Sequence, residues 1–218
     1  MIPLRYTLMA DGPSDRCLLR IIDWLLASLR NVSPLAIKPQ FADSRRLPGR
    51  PPTLSERMRQ ALDYYPCDIL FVHRDAEREP LKNRLREIEL AADEAQIHHR
   101  VPVIPVRMME AWLLLEIRAI RTAADNPNGT ARLDLPRVQE LESVPDPKRM
   151  LYDLLIAASE KTGRRLAHFR SPANLAMRRI RVADLIADFS LLRQLPAFSY
   201  FAAETNRVVQ AWYTADQR

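Results

Sequence analysis

The chain has 218 residues, of which 47% are hydrophobic, and a formal net charge of +6. A chain of this length buries roughly 70% of the surface its unfolded form exposes, so it needs neither disulfides nor a structural metal to hold a core. Gly12, Gly49, Gly129 and Gly163 are its only glycines, which excludes a GxGxxG dinucleotide fingerprint and a Walker phosphate loop; GxSxG, HExxH and Cys/His zinc spacings are also absent.

The positive charge is carried almost wholly by arginine, since the lysines are limited to Lys38, Lys82, Lys148 and Lys161. Arginine's planar fork grips phosphate through paired hydrogen bonds, which suits a nucleic-acid partner. Cys17 and Cys67 lie in apolar segments without CxxC spacing and read as buried, reduced thiols. The opening MIPLRYTLMADG has no basic region or small-residue cleavage site, and no segment approaches the ~18 apolar residues of a membrane span. The expectation is a cytoplasmic chain without membrane association.

In chain order, Arg5–Ala10 reads as a first strand, followed by an Asp11-Gly12-Pro13-Ser14-Asp15 turn in which Ser14 is a candidate N-cap and Asp15 favours the helix dipole. Leu18, Leu19, Ile21, Ile22, Leu25, Leu26 and Leu29 then recur at helical spacing. Leu35–Phe41 is a second strand, confined to an edge or bulge by Pro39. A loop over 42–52 carries Arg45, Arg46 and Arg50, and Thr53 with Glu56 forms a capping box that opens a helix through Tyr65. Asp68–His73 is a short apolar run suited to a strand covered on both faces. A charged helix over Pro80–Gln96, a strand over Val101–Val106 and a helix over Glu110–Ala123 follow.

Strands alternating with helices imply a mainly parallel, Rossmann-like α/β sheet flanked by helices over residues 1–124. Residues 125–146, rich in Pro, Asn and Gly, read as a linker or long loop, and 147–218 as a helical extension packed on the core, with helices over Pro147–Thr162, Ala173–Asp188 and Pro196–Trp212. Phe198 and Phe201, three apart on the last helix, read as core or partner-contact residues rather than base-stacking ones.

Ligands of open α/β sheets bind beyond the carboxyl ends of the strands. Four acids fall there: Asp11 after the first strand, Asp75 and Glu77 after the third, and Glu110 after the fourth. Mg²⁺ takes oxygen ligands, usually one or two carboxylates with water and substrate phosphate, so Asp11, Asp75 and Glu77 are the expected ligands of Mg²⁺ or Mn²⁺. Glu110 is expected to act as a further ligand or a general base beside a catalytic Asp11. Arg45, Arg46 and Arg50, with Arg164 and Arg165 and with Arg178 and Arg179, are candidate nucleic-acid contacts.

The strand–Asp11-Gly12-x-Ser14-Asp15–helix opening resembles the Glu-Gly-x-Ser/Thr-Asp start of Toprim domains, and Asp75-Ala76-Glu77 resembles their Asp-x-Asp step. Met108-Met109-Glu110-Ala111-Trp112-Leu113, Pro145-Asp146-Pro147-Lys148 and the closing Arg181–Phe201 segment are similar to the bacterial, Toprim-related family of unknown function numbered 4276. The chain departs from the Toprim pattern where Asp11 replaces the first Glu and Glu77 the second Asp. The resemblance implies a Toprim-like fold and Mg²⁺-dependent, nuclease-like phosphodiester chemistry, as an effector in phage defence. The alternative it leaves is a non-catalytic regulatory or docking subunit for an ABC-type ATPase or a homodimer partner.

Overall fold

The computed structural model describes residues 2–29, 34–49, 51–77 and 79–216. Its centre is a four-stranded, all-parallel sheet built from β1 (Ile2–Ala10), β2 (Leu35–Asp43), β3 (Ile69–His73) and β4 (Arg100–Val103), in the order β2-β1-β3-β4. In register, Tyr6 lies beside Pro39 of β2 and Ile69 of β3, and Phe71 lies beside Val101 of β4. β2 is an edge strand, as its Pro39 requires, because a proline has no N–H to give to a second neighbour.

Alternation along β1 and β3 divides the core in two, and both faces are covered. Leu4, Tyr6, Leu8, Ile69 and Phe71 pack with α1 (Leu18–Ala27). Met9, Leu70 and Val72 face the other way, onto α2 (Leu54–Tyr64) and α3 (Leu81–Glu94). This double burial explains why β3, buried along its whole length, reads as a continuous apolar run rather than an alternating one. The expected capping box is present, with Thr53 Oγ1 accepting from the Glu56 amide at 3.2 Å and Glu56 accepting from the Thr53 amide at 3.2 Å.

Beyond β4, the expected single helix from Glu110 is replaced by a 3-10 turn over Met109–Leu113 and a short α4 (Ile117–Ala123). All six residues from Met109 to Leu114 are buried, which one face of an amphipathic helix cannot provide. The stretch between 125 and 146 contains a further 3-10 helix, Val138–Ser143, and sends Leu133 and Leu141 into the core.

The later helices are α5 (Pro147–Ser159), α6 (Gly163–Phe169), α7 (Pro172–Leu185) and α8 (Pro196–Asp216); α6 was not anticipated from the sequence. Buried residues of α5, α7 and α8 belong to the same hydrophobic cluster as the α1 face of the sheet. Phe201 of α8 stacks on Trp112 at 5.8 Å and meets Phe71 of β3 edge-on at 6.2 Å, while Phe198 meets Trp112 edge-on at 5.1 Å. Such pairs contribute roughly 0.5–1.5 kcal/mol each beyond their buried area and tie the extension to the sheet. Among the described residues, no helix is long and apolar enough to cross a membrane.

Candidate functional site

The strand order places a topological switch point between β1 and β3. The chain leaves β1 toward β2 through α1 on one face, and leaves β3 toward β4 through α3 on the other. Connections that part in this way open a crevice beyond the carboxyl ends of the two strands. Asp11 follows the last residue of β1, and Arg74 and Asp75 follow the last residue of β3, so these residues lie at that carboxyl edge of the sheet.

Asp75 is held by backbone pairing that continues past the sheet. The amides of Arg74, Ala76 and Glu77 donate to the carbonyls of Val103, Pro105 and Arg107 at 3.2, 3.1 and 3.1 Å. Glu77 and Arg107 adopt left-handed backbone conformations, φ 54° and 65°, an arrangement costing about 1–3 kcal/mol per non-glycine residue that surrounding structure must enforce. The Met109 amide donates to Asp75 Oδ1 at 3.1 Å. His73 Nδ1 lies 3.0 Å from the Val103 carbonyl, which only accepts, so the network assigns the hydrogen to Nδ1 and leaves Nε2 facing Asp75 Oδ1 at 3.6 Å.

Burial pushes the Asp75 carboxyl up to about 6, with His73 and the Met109 amide opposing the shift and the negative charges of Glu110 and Asp15 adding to it. Yet 30% of the Asp75 side chain remains exposed, against 3% for His73. Asp75 is therefore a solvent-reachable carboxyl whose proton affinity lies near neutrality, and His73 is its buried support.

Asp11 has a different setting. Its carboxylate is 55% exposed and is gripped by Arg57 Nη1 at 3.2 Å and Arg74 Nη1 at 3.7 Å. Arg74 also reaches Glu87 at 3.4 Å, which in turn pairs with Arg84 at 2.8 Å. At the end of β2, buried Asp43 caps the following turn by accepting from the Arg45 amide at 3.1 Å, and it draws the side chains of Arg45 and Arg46 to 3.5 and 3.6 Å. The Arg45 guanidinium lies over Gly12.

Glu110 is buried and ion-paired with buried Arg179 of α7. The same guanidinium faces Cys17, whose thiol is raised by burial, and Tyr152, whose hydroxyl is also raised by burial. Glu110 is thus a neutralised interior group, not an exposed base, although its charge is felt by Asp75.

The acids expected to bind a metal together are not gathered. Asp11 is engaged by arginines, Glu77 is exposed and exerts its charge on Arg84, and the carboxylates whose charge raises Asp75 are Glu110 and Asp15. Asp15 itself accepts from the Gly12 amide at 3.0 Å, which makes it, and not Ser14, the residue that closes the turn. Among the described residues, no group of three His, Cys, Asp or Glu side chains is disposed to hold a metal ion. Asp11, Asp75 and Glu77 do not form such a group.

The basic candidates divide in the same way. Arg45 and Arg46 are exposed beside the crevice, and Arg164 and Arg165 are exposed on α6. Arg50 lies outside the described residues. Arg179 is buried against Glu110, and Arg178 is occupied by Asp125 and by the Phe169 ring, 4.1 Å from its centroid. Neither Arg178 nor Arg179 is presented to a ligand backbone. Arg57 and Arg74 were not among the expected contacts: their sequence neighbours carry no sign of the Asp11 carboxylate that recruits them.

No protein-family model, no curated protein and no solved structure matches this chain. The resemblance to Toprim-related proteins rests on the motifs quoted above.

Proposed function

We propose that the crevice between β1 and β3 binds a nucleic-acid strand and hydrolyses its phosphodiester bonds, with Asp75 as the proton acceptor. The observation that carries this reading is a reachable carboxyl of near-neutral proton affinity at the switch point, with Arg57 and Arg74, whose guanidiniums complement phosphate, on Asp11 at the end of the adjacent strand.

A water poised on Asp75 attacks phosphorus and its proton passes to the carboxylate. The bond from phosphorus to the leaving sugar oxygen breaks, and that oxygen takes a proton from solvent. A carboxylate with proton affinity near the working pH performs this transfer better than an ordinary aspartate. The Met109 amide donates to Oδ1 and fixes the carboxylate, and His73 opposes the burial effect. The Toprim resemblance implies a divalent ion, so cleavage is compared with and without one.

The docking reading has less in its favour. Among the described residues, the large exposed apolar side chains Tyr64, Leu90, Ile117, Met177 and Leu191 are single residues on five different elements.

The test is cleavage of end-labelled single- and double-stranded DNA and RNA by the wild type and by Asp75→Asn, in EDTA and in Mn²⁺. Cleavage that falls about a hundredfold or more in the variant supports the reading, since general-base catalysis contributes roughly 10²–10⁴-fold. No cleavage of any substrate in either condition, or equal cleavage by both proteins, refutes it.

A further inference from the structure

Asp11 was expected to bind a cation, but it is surrounded by cations. Arg57 Nη1 and Arg74 Nη1 approach its two oxygens at 3.2 and 3.7 Å. The next residue, Gly12, carries the Arg45 guanidinium on its open face: a Cβ placed there would lie 2.8 Å from Nη2 and 3.0 Å from Cζ. Gly12 has extended backbone, φ −164°, so its value is the space it leaves and not a special conformation. Guanidiniums from the loops after β2 and β3 and from α2 thus meet on two residues after β1.

Each arginine is steered by a second link. Arg45 Nε lies 3.5 Å from Asp43, Arg57 Nε donates to the Thr53 carbonyl at 3.4 Å, and Arg74 reaches Glu87 at 3.4 Å. Among the described residues, Arg45 and Arg46 pair with Asp43, Arg57 and Arg74 share Asp11, and Arg74 and Arg84 share Glu87, with the charges of Glu77 and Glu79 also acting on Arg84. Of the carboxylates Asp11, Asp43 and Glu87, Asp11 is the one that is more than half exposed, and two guanidiniums share it.

We propose that Arg45, Arg57 and Arg74 form a phosphate-oxyanion site over Gly12, in which Asp11 is an internal counter-ion that a bound phosphate group displaces. A tetrahedral phosphate presents several acceptor oxygens where Asp11 presents two, and guanidinium forks bind it with charge-assisted hydrogen bonds. Asp11 keeps the arginines assembled when no ligand is bound. The site is distinct from Asp75 and lies beside it, both following the carboxyl ends of adjacent strands. This rests on the proposed function only in naming a nucleic acid as the source of the phosphate, either an internal phosphodiester or a terminal phosphomonoester.

The experiment measures binding by fluorescence anisotropy in EDTA, with labelled oligonucleotides bearing a 5′-phosphate or a 5′-hydroxyl, and with inorganic phosphate as competitor. Arg57→Gln and Arg74→Gln are each expected to weaken binding about tenfold, the worth of one charge-assisted hydrogen bond. Gly12→Ala, which displaces the flexible end of Arg45 without removing a charge, weakens it to a lesser degree. Asp11→Asn is expected to tighten binding severalfold because a competing carboxylate is gone. Preference for the 5′-phosphate with competition by inorganic phosphate assigns a terminal group; equal binding of both oligonucleotides assigns the internal backbone.

Weaker binding by Asp11→Asn with unchanged affinity in Arg57→Gln and Arg74→Gln, all three retaining the wild-type circular dichroism spectrum, overturns the proposal. Because the readout is affinity in EDTA, these results stand whether or not the protein cleaves, so failure of the hydrolytic reading is separately visible.

Discussion

Replacing Asp75 by Asn isolates the electrostatic cost at the crevice. Asn keeps an oxygen acceptor for the Met109 amide but has no charge to desolvate and none for Glu110 and Asp15 to repel. In the folded protein the carboxyl is raised to about 6 from an ordinary value of 3.8. A raised carboxyl binds its proton more tightly in the folded state than in the unfolded chain, so wild-type stability falls as pH rises between about 4 and 6 and the deficit is then constant above 6. That difference corresponds to about 3 kcal/mol, a ceiling here because the side chain is partly exposed.

Asp75→Asn is therefore expected to be more stable than the wild type at pH 8, by up to about 3 kcal/mol, with the gain shrinking toward zero near pH 4. Urea unfolding of both proteins at pH 4, 5, 6, 7 and 8 measures it. A difference that does not change with pH, or a variant less stable at pH 8, refutes the assignment of Asp75 as a strained carboxyl.

Other perturbations probe the surrounding architecture. Arg179→Met leaves Glu110 buried without its partner and is expected to lose about 3–5 kcal/mol in urea unfolding, while the double change with Glu110→Leu recovers much of that loss. Glu110→Gln removes a repelling charge and leaves Arg179 positive, so the Asp75 titration observed by carbon NMR moves below its wild-type midpoint; an upward movement contradicts the assigned causes. Phe201→Ala deletes the ring that joins α8 to Trp112 and Phe71 and is expected to cost about 3–5 kcal/mol in the same urea assay. Oligonucleotide affinity falls with added salt, and the log–log slope becomes shallower by about one for each phosphate-contacting arginine removed, as measured for Arg45→Gln and Arg57→Gln.

The sheet was readable in the sequence because burial on both faces writes continuous apolar runs such as Ile69–His73, and because Pro39 marks an edge. The turn at Met109–Leu113 was not, since consecutive burial of Glu110, Ala111 and Trp112 has no helical or strand period. The positions of the acids after the strands followed from topology alone; β1 and β3 end at Ala10 and His73 as expected, whereas β2 runs on to Asp43 and β4 stops at Val103, short of the expected Val106. Their partners did not follow, because each is distant in the chain: Arg57 is 46 residues from Asp11, and Arg179 is 69 residues from Glu110. Residue type and spacing mark Asp11 and Glu110 as acids at the right edge. Only the folded arrangement shows one held by exposed arginines and the other neutralised inside the core, leaving Asp75 as the reachable carboxyl with a perturbed proton affinity.

The central claim is that Asp75 accepts a proton during phosphodiester hydrolysis in the crevice between β1 and β3. The measurement that meets it most directly is the pH dependence of kcat/KM for cleavage of a labelled oligonucleotide by the wild type and Asp75→Asn. The account predicts a wild-type rate that rises to a plateau through an inflection near 6, with both the rate and the inflection lost in the variant. An inflection that persists in Asp75→Asn, or a variant that cleaves at the wild-type rate, contradicts it.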